Sequence, residues 1–381
     1  MRLLALLAAL LTIAPDRALA ACDAANQFTF DWNSQPDTSL SYASTYSYTA
    51  TNASGASRTF QTSFATNGLA TNNVAGFAMP VIAAVHTGTT GAGEKTLTLG
   101  GRLSGRTAAI GSATRVIAVT FTFSQPVRDV SFRVFDVDFT ANSWRDWIRV
   151  TGSNGAATYN ASFTKPAAST VRIGPGASPQ PIAAGELLGA SASDLAQDNG
   201  TVVATFAQPV TSVQLRYGNY PLQTGETATG EQWISIHDIS FCPLPSLAVT
   251  KTSAPLATTG TDRFAAPGSD MVYTITAANS GGSPVDLNGL VLTDVLPAQM
   301  SFYNGDFDTT LPGTDPFVLT AGSSGVTLTA ANVSYSNNGG ASYAYAPAAG
   351  YDANVSAVRF APGGSLAANS SFTIRFRARV K

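Results

Sequence analysis

Four aspartates are the residues of this sequence whose types and spacing best suit chemistry. Asp136 and Asp138 are two apart in an alternating segment, and alternate residues of a β-strand point to the same face. Asp146 precedes a predicted strand, and Asp238 lies in the last predicted strand of the first domain. Because Ca²⁺ prefers roughly six to eight oxygen ligands, the four carboxylates predict a calcium site. The alternative is that they accept hydrogen bonds in turns and pair with neighbouring arginines.

The two histidines, His86 and His237, are too few for a histidine-rich metal site. His237 precedes Asp238 in an alternating strand, so the two side chains are expected on opposite faces and form a poor catalytic pair. The sequence also lacks the Gly-x-Ser-x-Gly turn that presents a nucleophilic serine in many hydrolases. We therefore expect structural histidines and no enzymatic activity. A hydrolase whose site the sequence pattern does not reveal is a distant alternative.

Aromatic side chains offer a second kind of site, because carbohydrate-binding sandwiches present flat rings on a face or loop. Trp144 and Tyr220 lie in polar, loop-like segments and are the candidates for ligand binding. Trp147 and Trp233 alternate with polar residues in predicted strands, which favours a place in the core. Ordinary packing is the competing interpretation for Trp144 and Tyr220 as well.

The first 20 residues predict export. Arg2 is followed by an apolar run and then by Ala18-Leu-Ala20, which is typical of a cleaved signal peptide. Cys22 and Cys242 are the only two cysteines, and such a pair normally forms a disulfide in an oxidising compartment. The loop of about 220 residues would restrict the unfolded chain by about 4–5 kcal/mol. The alternative is a lipoprotein, because Leu19-Ala-Ala-Cys22 resembles a lipobox, and lipidation of Cys22 would exclude the disulfide.

Composition favours an extracellular β-protein. Charged residues make up 12% of the chain, and the net charge is −2, with no basic run that would attract nucleic acid. No second apolar span follows the leader, so no transmembrane helix is expected in the mature chain. We therefore predict a secreted or bacterial cell-surface protein, with the periplasm as an alternative location.

Short strands separated by turn residues fill the first domain, predicted at residues 22–245. Residues 119–138 read as two alternating strands joined by a turn at Pro126, and residues 206–217 repeat the Gln-Pro-Val-x-x-Val pattern around Pro209. The repeat suggests two equivalent corners in one antiparallel sandwich. Many short strands without long amphipathic helices predict an all-β fold, here a jelly-roll-like β-sandwich.

Residues 246–381 carry a new set of motifs after the proline-rich junction. These are Thr-Lys-Thr from residue 250, Pro-Gly at 267–268 before Tyr-Thr-Ile, Asn-Ser-Gly at 279–281, and Thr-Asp-Val-Leu-Pro at 293–297. The segment resembles the conserved repeat domain of bacterial and archaeal surface proteins, which has no assigned function. The resemblance implies an immunoglobulin-like β-sandwich that acts as a stalk, spacer or adhesive module. More loosely, residues 123–138 and 146–152 resemble jelly-roll-like sandwiches of secreted bacterial proteins.

These observations predict a secreted structural or adhesive surface protein that is not an enzyme. Its partner would be an envelope glycan or another surface protein. The alternative function is a calcium-supported glycan-binding module.

Overall fold

A computed structural model describes residues 26–381 except 178, 224–229, 258, 260–262 and 308–314. The chain is all-β, as predicted, and its contacts divide it into two compact units that meet between Pro243 and Leu244. Short 3-10 helices span Trp32–Ser34 and Ala330–Asn332. Within the described ranges, no helix is long and apolar enough to cross a membrane.

The N-terminal unit comprises the described residues up to Pro243. Its strands, in chain order, are β1 (Phe28–Phe30), β2 (Thr38–Ser39), β3 (Thr45–Thr51), β4 (Ser57–Asn67), β5 (Leu69–Thr71), β6 (Asn73–Val74), β7 (Phe77–Ala78), β8 (Val81–Ala83), β9 (Thr96–Leu103), β10 (Val116–Phe135), β11 (Phe139–Thr140), β12 (Trp144–Asn154), β13 (Ala157–Asn160), β14 (Ser162–Thr164), β15 (Arg172–Ile173), β16 (Glu186–Leu188), β17 (Val202–Thr205), β18 (Val210–Asn219) and β19 (Gln232–Pro243).

Strand β10 organises the N-terminal unit, because its two halves pair with different neighbours. The first half lies between β4 and β18, and the second half lies between β17 and β19. The predicted turn at Pro126 is wrong: the chain continues as one strand of 20 residues. The register shifts between Thr122 and Val127, where Pro126 needs no ladder partner, and Asp129 has a positive φ of 53°. This register shift lets the two halves of one strand pair with different neighbours.

The repeated Gln-Pro-Val-x-x-Val pattern has a structural counterpart. Val127 of the first copy pairs directly with Val210, the equivalent residue of the second copy. In the second copy the chain breaks into two strands, since β17 ends at Thr205 and β18 begins at Val210. The two corners therefore lie side by side in the sheet.

Aromatic residues form the centre of the N-terminal core. Phe30 contacts Trp32 and Phe60 edge-to-face, with ring centroids 4.8 and 5.3 Å apart, and all three side chains are buried. Such pairs add about 0.5–1.5 kcal/mol beyond the burial of their area. Buried residues at alternate positions of β10 and β18 extend this core, which explains the period-two pattern in the sequence.

The first and last strands of the N-terminal unit are neighbours, since β1 pairs with β19 and Phe28 lies opposite Phe241. A bond between Cys22 and Cys242 would need these two strands to lie side by side, as they do. Cys242, next to Phe241, is buried, and the described residues contain no free cysteine. Cys22 lies outside the described residues, so its bond to Cys242 stays a prediction.

The C-terminal unit comprises Leu244–Lys381. Its strands are β20 (Leu247–Pro255), β21 (Asp270–Asn279), β22 (Leu292–Val295), β23 (Met300–Asn304), β24 (Phe317–Thr320), β25 (Val326–Thr327), β26 (Val333–Ser336), β27 (Gly350–Asp352), β28 (Ala357–Phe360), β29 (Gly363–Gly364) and β30 (Ser370–Val380).

Two sheets enclose the core of the C-terminal unit. The larger has the order β20-β21-β30-β23-β27, with β24 also paired to β30, and the smaller has the order β22-β28-β26. Apolar residues alternate along β21 and β30 and meet those of the smaller sheet, as Phe376 and Phe360 do at 6.0 Å between ring centroids. The unit is therefore a sandwich with one shared apolar core.

Candidate functional site

Three of the four predicted aspartates meet in the N-terminal unit, at the end of β10. Asp136 has a positive φ of 64° and begins the short link between β10 and β11. Asp138 ends this link, and its backbone carbonyl accepts a hydrogen bond from the Asp146 amide at 3.0 Å. All three side chains are buried. The left-handed turn at Asp136 thus brings Asp138 beside the start of β12.

Every carboxylate oxygen of Asp138 and Asp146 accepts a hydrogen bond. Trp144 Nε1 donates to Asp138 Oδ1 at 2.6 Å, and the Ser193 amide donates to Asp138 Oδ2 at 3.2 Å. The Tyr217 hydroxyl donates to Asp146 Oδ1 at 2.6 Å, and the Asp138 amide donates to Asp146 Oδ2 at 3.0 Å. These bonds connect β12, β18 and the loop before β17. The two carboxyl groups therefore hold three separate parts of the chain together.

Asp136 belongs to a second series of polar contacts. Its Oδ2 lies 2.9 Å from His86 Nε2, and His86 Nδ1 lies 2.7 Å from Ser235 Oγ. Ser235 Oγ in turn lies 2.7 Å from Thr98 Oγ1. Asp136 Oδ1 is buried without a hydrogen-bond partner among the described residues. These contacts connect the link after β10, the loop after β8, and strands β19 and β9.

Burial dominates the electrostatics of this network. It raises the pKa of Asp138 to about 6, with a further contribution from the negative charge of Asp136. Burial also raises the pKa of Asp146 well above its ordinary value, and the charge of Asp138 adds to the effect. Asp138 and Asp146 therefore retain their protons to higher pH than exposed aspartates do.

Ser235, His86 and Asp136 are the three residue types of a hydrolytic triad, and they are connected in that order. Ser235 lies within β19 and is fully buried, and its hydroxyl is shared between His86 and Thr98. A nucleophilic serine must be accessible to a substrate carbonyl, and the Ser235 hydroxyl is enclosed in this structure. The arrangement is a buried polar network that joins strands, in agreement with the expectation of a structural His86.

Asp238 does not join the other three aspartates. Its Oδ1 accepts a hydrogen bond from the Trp32 amide at 3.2 Å, and its Oδ2 lies 3.9 Å from His237 Nε2. In the part of the chain that the structure describes, no three His, Cys, Asp or Glu side chains converge as a metal site. Each carboxylate oxygen of Asp138 and Asp146 already accepts one hydrogen bond, so a calcium ion would have to share these oxygens with their present donors.

His237 and Asp238 were expected on opposite faces of one strand, and the structure corrects this. The pairing of β10 with β19 shifts between Phe132–Ile239 and Val134–Ile236, so one residue of β10 faces two residues of β19. This bulge leaves both side chains half-buried and close to one another. Alternation in sequence cannot reveal such an extra residue.

The two aromatic candidates for ligand binding are engaged inside the unit. Trp144 is half-buried and donates its indole hydrogen to Asp138. Tyr220 is buried against Trp147, with ring centroids 4.9 Å apart, and its hydroxyl donates to the Pro181 carbonyl at 2.8 Å. Tyr220 follows the end of β18, and Trp147 packs against its ring. Ligand binding by Trp144 and Tyr220 stays a prediction.

Sequence reasoning missed the connection of His86 to Ser235 and of Asp146 to Tyr217. The members of the first pair are 149 positions apart, and those of the second are 71 positions apart. Neither pair belongs to a local motif.

Comparison with protein-family models and with curated proteins gave no match. The resemblance of residues 246–381 to the conserved repeat domain therefore stays a prediction.

Proposed function

We propose that this chain is a secreted or cell-surface structural protein whose C-terminal unit acts as a load-bearing spacer. The observation that carries the proposal is the placement of the first and last strands of that unit. Strands β20 and β30 both pair antiparallel with β21, one on each side, so they run parallel to each other. Their outer ends lie at opposite ends of the sheet.

The register makes this placement explicit. Leu247, at the start of β20, lies opposite Asn279 at one end of β21. Arg379, near the end of β30, lies opposite Asp270 at the other end of β21. Since β21 has 10 residues, the two ends are separated by roughly 30 Å along the strand direction.

A force applied between these ends acts along the strands. The hydrogen bonds of β20 to β21 and of β21 to β30 then share the load, and many must break together before the sheet separates. A force applied across one end would instead break them one pair at a time. The strand order thus supports a spacer that keeps its length under tension.

The N-terminal unit supports the same proposal, because its buried polar side chains connect strands of the fold. The groups best suited to chemistry, Asp138, Asp146 and Ser235, are enclosed and hydrogen-bonded to other strands. The predicted signal peptide supports export. An adhesive contact with an envelope glycan or another surface protein would complete this role, and calcium-supported glycan binding is the alternative function.

Surface exposure on producing cells tests the proposal. Intact cells that express the full chain are labelled with antibodies to each unit, and a chain without residues 1–20 serves as the control. We expect labelling that depends on the leader and is lost when external protease is added. A chain that stays inside the cells would contradict the proposal. A glycan array probed with and without calcium tests the alternative.

A further inference from the structure

A buried lysine and a buried aspartate face each other in the C-terminal unit. Lys251 Nζ lies 2.6 Å from Asp294 Oδ1, and the side chains are 4% and 3% exposed. Lys251 is in β20 of the larger sheet, and Asp294 is in β22 of the smaller sheet. The contact therefore crosses the core of the sandwich.

The surroundings of this pair are aromatic. Lys251 Nζ lies 4.3 Å from the ring centroid of Tyr273 and 5.9 Å from that of Phe376. Asp294 Oδ2 is buried without a hydrogen-bond partner in the described ranges. A buried ion pair is poorly stabilised when no side chain or backbone group donates to one of its carboxylate oxygens.

Burial shifts both groups toward their uncharged forms. It lowers the pKa of the Lys251 amine and raises the pKa of the Asp294 carboxyl, although each group favours the charge of the other. The charged and uncharged forms of the pair differ only in the position of one proton, which can move between Nζ and Oδ1 across their 2.6 Å contact. The reactive forms, an amine and a carboxylic acid, are thus reached without exchange with solvent.

We propose that Lys251 and Asp294 condense into an intramolecular amide that links the two sheets. The Nζ lone pair attacks Cγ of the protonated carboxyl group and forms the N–C bond. The C–O bond to the hydroxyl group then breaks, an amine proton moves to that hydroxyl, and one water molecule leaves. No oxidant, reductant or other reactant is needed.

Three features of the site promote this reaction. The fold holds amine and carboxyl in contact, and well-oriented groups reach effective concentrations on the order of 10⁵ M or more. The enclosed site excludes water, which would otherwise stabilise the charged forms and reverse the condensation. The strands β20 and β22 also keep the two groups from separating while the slow step occurs.

The chain contains a matched control for this reaction. Lys95 Nζ lies 2.7 Å from Asp37 Oδ1, a contact nearly as short as the 2.6 Å contact of Lys251 with Asp294. The Asp37 side chain, however, is 68% exposed, so solvent stabilises its charged form. We expect no amide at Lys95. The inference does not depend on the proposed function, although such a bond would strengthen a spacer.

Mass spectrometry of the full chain after reduction, denaturation and tryptic digestion tests the proposal. Trypsin does not cleave after an acylated lysine. We expect the digest to contain residues 217–263, uncut at Lys251, joined to residues 264–359. Because a linear peptide 217–359 left uncut at Arg263 has the same mass, fragmentation must show a free amino terminus at Phe264 and a link between Lys251 and Asp294. The reduced and denatured full chain should also be lighter by one water molecule than its sequence requires. Cleavage after Lys95 should be normal. Separate peptides with complete cleavage at Lys251 would overturn the proposal.

Two variants check which groups are linked. Lys251→Met and Asp294→Ala should each abolish the joined peptide, whereas Asp37→Ala should leave it unchanged. A joined peptide that persists in Asp294→Ala would overturn the assignment of the carboxyl partner. If either variant fails to fold, the digest of the unaltered chain still decides whether the amide exists.

Discussion

The hydroxyl of Tyr217 offers the sharpest test of the buried network, because one atom can be removed without changing the shape of the core. The hydroxyl donates to Asp146 Oδ1 at 2.6 Å, and both residues are fully buried. In Tyr217→Phe the ring remains, but Asp146 loses a donor that no water replaces. Leaving a buried acceptor unsatisfied costs about 1–3 kcal/mol, so we expect the free energy of unfolding to fall by about 2 kcal/mol.

The expected change is measurable as a shift in the midpoint of thermal unfolding. For a unit of this size, about 2 kcal/mol corresponds to a decrease in Tm of roughly 4–8 °C. The matched control is Tyr159→Phe, at a half-buried tyrosine that packs against the same core. A double-mutant cycle with Asp146→Asn separates the pair interaction from other effects. Equal stability of Tyr217→Phe and the unaltered chain would refute the reasoning.

Three further predictions concern the same network. The folded pKa of Asp138, about 6, lies above the unfolded value of about 3.9. The protonated carboxyl group therefore stabilises the fold fully below about pH 4, and this stabilisation is lost as the pH rises through about 6. Calorimetry should show that the free energy of unfolding falls by about 2–3 kcal/mol by about pH 8, and that Asp138→Asn does not show this fall. If the folded protein bound calcium, a concentration about a hundred times the dissociation constant would stabilise it by about 2.7 kcal/mol. Because the carboxylate oxygens of Asp138 and Asp146 already accept hydrogen bonds, we expect the same Tm with calcium as with chelator. A higher Tm with calcium would establish the calcium site. Gly189→Ala would place a Cβ 1.7 Å from the Asp138 carbonyl oxygen, and we expect denaturant unfolding to show a free energy of unfolding lower by about 3 kcal/mol. The control Gly176→Ala, where the nearest atom to the new Cβ is 3.5 Å away, should be near neutral. Equal stability of the two variants would contradict this packing.

The all-β class could be predicted from the sequence because burial in a strand leaves a period-two pattern. Strand β21 shows this directly, with buried residues at alternate positions from Met271 to Asn279. The pattern reports which face of a strand is buried, but it does not report which strands are neighbours. The prediction of a turn at Pro126 failed for this reason, since a register shift within one strand and a hairpin turn can have similar local sequences.

The candidate site could be predicted only in part. Asp136, Asp138 and Asp146 were recognised because they are close in sequence, and the structure brings them together. Asp238 was included on residue type alone, and its true neighbours, Trp32 and His237, depend on a bulge and on long-range pairing. The contact of Lys251 with Asp294 was likewise hidden, although both residues lie in motifs that the sequence made conspicuous.

Single-molecule pulling of the full chain in two directions tests the central claim, that the C-terminal unit is built to bear load along its strands. Attachment at Ser246 and Lys381 loads the hydrogen bonds of β20, β21 and β30 together, whereas attachment at Ser246 and Ser280 opens the β20–β21 pair from one end. We expect a clearly higher unfolding force for the first geometry. Equal forces in the two directions, or a lower force between Ser246 and Lys381, would contradict the account.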